Sequence, residues 1–192
     1  MTQARPSHRP ATPPQPARER GVVLIVALVF LAVLTILGIS AITSTSQEEK
    51  MARYTRDYNV ALQAAEAALR EARYDLGAGA FATRSPPIIG NTGFDANCTN
   101  GLCQLAPPGS TPAFADETRW SNTNNLGSVA YGTFTPFQQL PLTPTPGGVA
   151  QQPRYLIEYL APTGSQHVYR ITARGWGADP NTMVVLQEEV VR

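Results

Sequence analysis

Between Val22 and Ile42 the chain reads VVLIVALVFLAVLTILGISAI, 21 residues without a charge. As an α-helix rising about 1.5 Å per residue, this run reaches about 30 Å, the thickness of a bilayer's hydrocarbon core. A soluble helix that is apolar all round must be buried all round, which takes a large surrounding domain. With 192 residues in total, the chain has material for one modest domain besides the run, so a membrane span is favoured over a buried core helix. A cleavable secretory signal competes, because Gly38 and Ser40 have a spacing that suits signal peptidase. The run is nevertheless longer than the roughly 7 to 15 residues of a typical signal core. Arg5, Arg9, Arg18 and Arg20 precede it against the single acid Glu19, and mixed charges from Glu48 to Asp57 follow it. The excess of cations upstream predicts a cytoplasmic N-terminus, with everything after Ile42 on the far side.

The flanks differ in kind. Met1 to Arg20 holds five prolines and four arginines and no hydrophobic periodicity, a composition that does not fold. Downstream there is no proline until Pro86, and Gln47 to Leu76 is rich in Ala, Glu, Arg, Leu and Gln, mostly strong helix formers. Met51, Tyr58, Leu62, Ala65, Leu69, Ala72 and Leu76 recur at spacings that line one helical stripe, with Glu49–Arg53 and Glu66–Arg70 as (i, i+4) pairs beside it. The expectation is one helix from Val22 to near Leu76, apolar all round in residues 22–42 and amphipathic in residues 43–76. The stripe then needs a partner, either the rest of the chain or a second copy in a coiled coil; the alanine content makes the intramolecular partner the better one.

Residues 77–192 form the expected head. Most of the chain's 17 prolines and 15 glycines fall there, which argues for loops and short strands. Strand-like runs are Val129 to Thr135, Arg154 to Leu160, His167 to Arg174 and Met183 to Val191. Their short connections favour antiparallel neighbours. The expected fold class is α+β: a long N-terminal helix packed on a small antiparallel sheet.

Candidate chemistry is sparse. Cys98 and Cys103 are the two cysteines, in Cys-Thr-Asn-Gly-Leu-Cys, and outside the cytoplasm they read as one disulfide that fastens a surface loop. A zinc site would need further ligands, and His167 is the head's one histidine. Asp95, Asn97, Thr99 and Gly101 superficially resemble a calcium loop, but the glycine falls one place late and Ala106 stands where a bidentate Glu is required. There is no Gly-x-Ser-x-Gly elbow, phosphate-binding glycine loop or His-Glu-x-x-His pair, so no enzyme activity, metal or cofactor is expected. Trp120 and Trp176 are read as packing residues. With 15 Lys+Arg against 14 Asp+Glu, the chain has no cationic surplus for direct nucleic-acid binding.

Arg20-Gly21 followed by Val-Val-Leu-Ile-Val-Ala-Leu-Val-Phe resembles the leader junction of type IV prepilins. Thr45 to Met51, Arg56-Asp57 and Ala64-Ala65-Glu66-Ala67-Ala68-Leu69-Arg70 further resemble the PilX-type minor pilins of Gram-negative bacteria. The cysteine loop, Tyr169 to Gly175 and Asn181 to Leu186 are similar as well. The resemblance covers the helix well and the head in patches.

It implies a leader of residues 1–21, cleaved by a prepilin peptidase between Gly21 and Val22, with N-methylation of Val22. It also implies residence first in the inner membrane, head in the periplasm, and then in a pilus at the cell surface. The implied partners are other minor pilins, the major pilin, a tip adhesin and the assembly platform, in pili that serve adhesion or twitching motility. Most pilins carry Glu at the fifth mature residue, where its carboxylate neutralises a neighbour's N-terminal ammonium; here that position is Val26. A subunit with none above it has no such ammonium to neutralise, so Val26 implies a place at or near the tip, where the subunit primes assembly. The alternatives are a non-polymerising single-pass inner-membrane protein whose periplasmic head binds a ligand or partner, and a secreted enzyme behind an ordinary signal peptide cut before Ala41.

Overall fold

The computed structural model describes residues 20–77, 83–121, 126–163 and 166–192. Nearly all of the expected leader, His8 included, lies outside the described residues. Helix α1 covers Arg20–Leu76, 57 residues without a proline. The chain divides into two compact units, one ending at Glu49 and the other running from Lys50 to Arg192.

In the second unit, five strands form one sheet: β1 (Leu102–Gln104), β2 (Val129–Ala130), β3 (Arg154–Thr163), β4 (Gln166–Trp176) and β5 (Met183–Val191). Their order is β1-β3-β4-β5, with β2 also on β3. The long strands β3, β4 and β5 are antiparallel as their sequences predict, but β1 runs parallel to β3, so the sheet is mixed. The run from Val129 to Thr135 supplies only two strand residues. At Gly132 the backbone enters positive φ and turns away, and the aromatic rings of Tyr131 and Phe137 stack across the bend at 6.2 Å.

Alternation along the strands gives the sheet two faces. Tyr155, Ile157, Tyr169, Ile171 and Ala173 pack with Ala68, Ala72 and Leu76 of α1, and Val184 packs with Ala61 and Ala65. The other face carries Leu156 against Cys98, Cys103, Ala113 and Trp120. The buried stripe of α1 is therefore Ala61, Ala64, Ala65, Ala68, Glu71, Ala72, Asp75 and Leu76. Leu62 and Leu69 sit at its margins, whereas Met51 is 70% exposed and Tyr58 43% exposed, outside the expected contact. Contact distance explains the shift. A Cβ added to Gly175 of β4 would lie 2.2 Å from the Ala65 backbone nitrogen and 2.4 Å from the Ala61 carbonyl oxygen. Strand and helix backbones approach so closely that only alanine fits beneath, and bulkier side chains flank the seam.

Two acids interrupt this alanine face. Asp75 receives a two-pronged bond from Arg84, at 2.8 and 2.6 Å, and the Tyr155 hydroxyl at 2.9 Å, all buried. Arg84 also donates to the Asn100 carbonyl and lies 3.8 Å over the Phe134 ring. Glu71 accepts the Gly132 N–H with both oxygens, at 3.0 and 2.8 Å. Burial nevertheless pushes the Glu71 carboxyl from 4.5 up to about 7, because the bonds it accepts only partly offset the lost hydration and Asp75 adds repulsion. The end of α1 is closed by Arg192, whose guanidinium donates to the Leu76 and Gly77 carbonyls, a cation at the negative end of the helix.

Gly175→Ala is expected to destabilise the head by about 3 kcal/mol, the range of overpacking at a backbone contact with no room to move, read as a lower urea midpoint. Glu71 gives a pH prediction with a definite sign. Its folded-state pKa is raised, so the folded state holds the proton more tightly than the unfolded chain. Stability is then expected to fall as pH rises from 4.5 to about 7 and to level off above. Glu71→Gln removes this fall: its stability between pH 5 and 8 should be flatter than that of the native chain, with no loss relative to it at pH 8. An unchanged slope in the variant would show that Glu71 does not titrate in this window.

Candidate functional site

The segment with the strongest constraint is the start of α1. Gly21–Ser40 has a mean hydropathy of 3.3 and is long and apolar enough to cross a membrane. Val22 to Ile39 expose their side chains throughout the described unit, with Val26 at 47% and Phe30 at 65%. The hydroxyl of Thr35 bonds back to the Leu31 carbonyl at 2.6 Å, so the run's central polar side chain is satisfied within its own helix. Gly21 and Val22 lie in the first turn of α1, one turn before Val26, and the space around Gly21 is open. The structure thus presents a surface that water does not tolerate, suited to lipid or to other apolar helices.

In the head, the cysteines form a disulfide with Cα atoms 4.1 Å apart. It is not the surface fastening expected: Cys98 and Cys103 are both buried, against Trp120, Ala113 and Leu156. Cys103 belongs to β1 and lies beside Glu158 of β3, and this strand pairing carries the loop into the core. The calcium-loop likeness resolves into turn chemistry. Asp95 Oδ1 accepts the N–H groups of Asn97 and Thr99 at 2.8 and 3.1 Å. Although burial opposes ionisation, the hydrogen bonds from Thr99, Asn97 and Cys98 outweigh it and hold this carboxyl below its ordinary value. Cys98 and Asn100 take positive φ and Gly101 follows at 79°, where a side chain would strike Val129.

His167 is committed to packing. Its Nδ1 lies 3.0 Å from the Tyr159 hydroxyl and its ring borders Gly90, within a cluster that includes Tyr169. Trp120 is buried, with its indole N–H on the Phe114 carbonyl at 2.9 Å and Arg174 4.4 Å over its ring. Glu117 holds that guanidinium with both oxygens, at 2.6 and 2.9 Å, which keeps its carboxyl below the ordinary range. Trp176 is buried as well. Among the described residues no three His, Cys, Asp or Glu side chains converge as a metal site.

Asp57 is a positioning residue that periodicity did not reveal. Its Oδ1 accepts the Ala178 N–H at 2.6 Å and lies 3.4 Å from the Asp179 nitrogen, which clips the β4–β5 turn to α1. Gly177 leaves room for it, since a Cβ there would come within 2.5 Å of that oxygen and push the carboxylate aside. Beside this clip opens a cleft of about 420 Å³ lined by Arg53, Tyr54, Val60, Gly148 and Thr182. The sequence signal was the Arg56-Asp57 pair together with the Gly-Ala-Asp-Pro-Asn turn, legible only once the two are brought together.

An exposed apolar helix at the N-terminal side and a disulfide-bearing α+β head behind it are what the comparisons match. Residues 20–70 match the family described as PilX N-terminal, and residues 99–192 match the family described as Type IV pilus assembly protein PilX C-term. Comparison with curated proteins and with solved structures found no match. Since helix and head each match their own part of one family, in chain order, the chain belongs to the PilX family of type IV pilus proteins.

Proposed function

We propose that this minor pilin sits at or near the tip of a type IV pilus, where it primes assembly. The observation that carries the reading is Val26: an apolar residue stands one turn into the exposed helix, where most pilins place the Glu that meets a neighbour's ammonium. A filament-body subunit without that carboxylate leaves a charge unpaired in an apolar core, at a cost that a terminal subunit avoids. In the same reading residues 1–21 are a cytoplasmic leader, residues 22–42 the membrane and filament-core segment, residues 43–76 the amphipathic helix and residues 77–192 a periplasmic head in a Gram-negative cell. A prepilin peptidase cuts after Gly21, and Val22 becomes the N-methylated first residue. Other minor pilins, the major pilin and a tip adhesin are its partners, with the platform acting from the membrane. The role is structural: Glu71 and Asp75 of α1 hold loops of the head, His167 is packed against Tyr159, and the start of the helix presents an open apolar surface.

Gly21→Val should leave the longer precursor in the inner membrane and remove the chain from sheared pili, as judged by intact mass and immunoblot. Normal maturation of that variant would discard the prepilin reading in favour of a plain membrane anchor. Val26 supplies a second test. For a tip subunit, Val26→Glu places a carboxylate in an apolar environment without an obligatory partner, which it escapes only by staying protonated. Piliation is therefore expected to fall or stay level relative to Val26→Leu, counted as pili per cell. A clear gain with Glu would move the subunit from the tip into the filament body.

A further inference from the structure

No strand among the described residues covers the outer edge of the sheet. β5 is the last strand in the order β1-β3-β4-β5, and it pairs with β4 over all nine residues without a register shift. Arg192 and His167 exchange both backbone bonds, N–H to carbonyl in each direction. Antiparallel pairs of this kind alternate, so Val184, Leu186, Glu188 and Val190 turn their backbone groups to β4. Met183, Val185, Gln187, Glu189 and Val191 turn theirs away from it. Among the described residues, no backbone hydrogen bond from another element reaches these outward groups. Natural edge strands are commonly blunted by proline, charged side chains (above all lysine), a bulge or short length. β5 has no proline, lysine or bulge and carries only Glu188 and Glu189 as charges, while Met183, Val185 and Val191 are 41%, 42% and 55% exposed.

The face beside that edge carries an unfinished row of charge. Glu158, Arg170 and Glu189 are register partners across β3, β4 and β5. Arg170 lies 3.6 Å from Glu158 and 3.9 Å from Glu189. Glu158 is fully buried, and Arg170 is the cation it shares with Glu189, so one guanidinium serves two acids. The Glu189 side chain remains 63% exposed at the end of the row. The next position, across the free edge, is therefore favourable for a cation. A second copy of β5 cannot provide one, because Met183–Val191 contains no basic residue.

We propose that β5 is a docking edge, which accepts an extended strand from another pilus protein by β-augmentation. The incoming strand places Lys or Arg beside Glu189 and apolar residues beside Val185 and Val191. Main-chain bonds to the outward groups hold it, and the charge row sets its register. The inference rests on the assembly reading above, since it needs a neighbouring subunit.

A photo-crosslinking residue, introduced in turn at Val185, Gln187 and Glu189 of the full-length chain in its native host, reads the pairing. The expected result is adducts with one identified pilus protein, in which the attachment point moves by two residues as the probe moves by two, with a Lys or Arg at the position facing residue 189. Val185→Pro removes an edge-facing N–H while leaving the β4 ladder intact, and should lower the adduct at Gln187 at least about tenfold. Val185→Thr, which keeps the N–H, should not. Adducts to a second copy of this chain, attachment points without the two-residue step, or an undiminished adduct in Val185→Pro would each overturn the proposal. So would the absence of adducts in a chain that is N-methylated at Val22 and present in sheared pili. A chain that is never processed or incorporated would instead remove the assembly reading itself, and the two failures are told apart by mass analysis of the same samples.

Discussion

The contact between β4 and α1 at Gly175 governs the architecture of the head. Because the Ala61 carbonyl and Ala65 nitrogen lie where a Cβ of residue 175 would be, strand and helix meet backbone to backbone. Little apolar area is buried per alanine, so the seam itself contributes modestly; what it provides is proximity. Proximity in turn lets residues beyond the sheet reach the helix. Tyr155, Ile157, Tyr169 and Ile171 fill the space at the wider end, around Ala68, Ala72 and Leu76, and supply most of the apolar burial.

The head's irregular segments are then held by carboxylates projecting from one helix. Asp57 takes the β4–β5 turn through the Ala178 N–H, Glu71 takes the bend at Gly132, and Asp75 takes Arg84 and through it the Asn100 turn. Loops this rich in proline and glycine make few ladder bonds, and their backbone N–H groups still need acceptors. An acid on a rigid helix is a fixed acceptor. The arrangement is costly at Glu71, where burial outweighs the bonds received, and well compensated at Asp75, which has three donors. A buried pair such as Asp75–Arg84 is better regarded as specifying one loop position than as a store of stability, because an apolar pair of the same volume often does as well energetically. Losing one partner alone would still strand the other's charge.

The parts of this arrangement that periodicity can report were legible. The apolar run, the helix through Leu76, and strands β3, β4 and β5 follow from spacing and composition, since each is long enough for its pattern to exceed chance. β1 was not legible, because Leu102–Gln104 is three residues long and its pairing is made by a partner more than fifty positions away. Val129 to Thr135 alternates like a strand yet bends at Gly132, where a helix carboxylate captures the N–H. The alanine stripe was placed slightly to one side, because a pattern search follows large apolar residues and the closest contact selects small ones. The cysteines were paired correctly, but their burial came from β1 and Trp120, neither of which the local sequence announces. At the candidate site, Gly21, Val22 and Val26 stood out only through the resemblance to type IV prepilins, whereas Asp57 needed the fold to acquire meaning.

A common rule connects the head with the helix start. Glu71 and Asp75 stand on an otherwise apolar helical face, and each faces donors brought by another segment of the same chain. The run from Gly21 to Ser40 has no such segment opposite it within its own unit, and it contains no acid, while Thr35 bonds to its own backbone. An acid at position 26 would obey the rule only with a donor from a different molecule. In the reading proposed above, a filament-body subunit would find that donor in the neighbour's terminal ammonium and a terminal subunit would not. Valine at position 26 asks for no donor from another molecule, which is what the proposed terminal placement requires of this position.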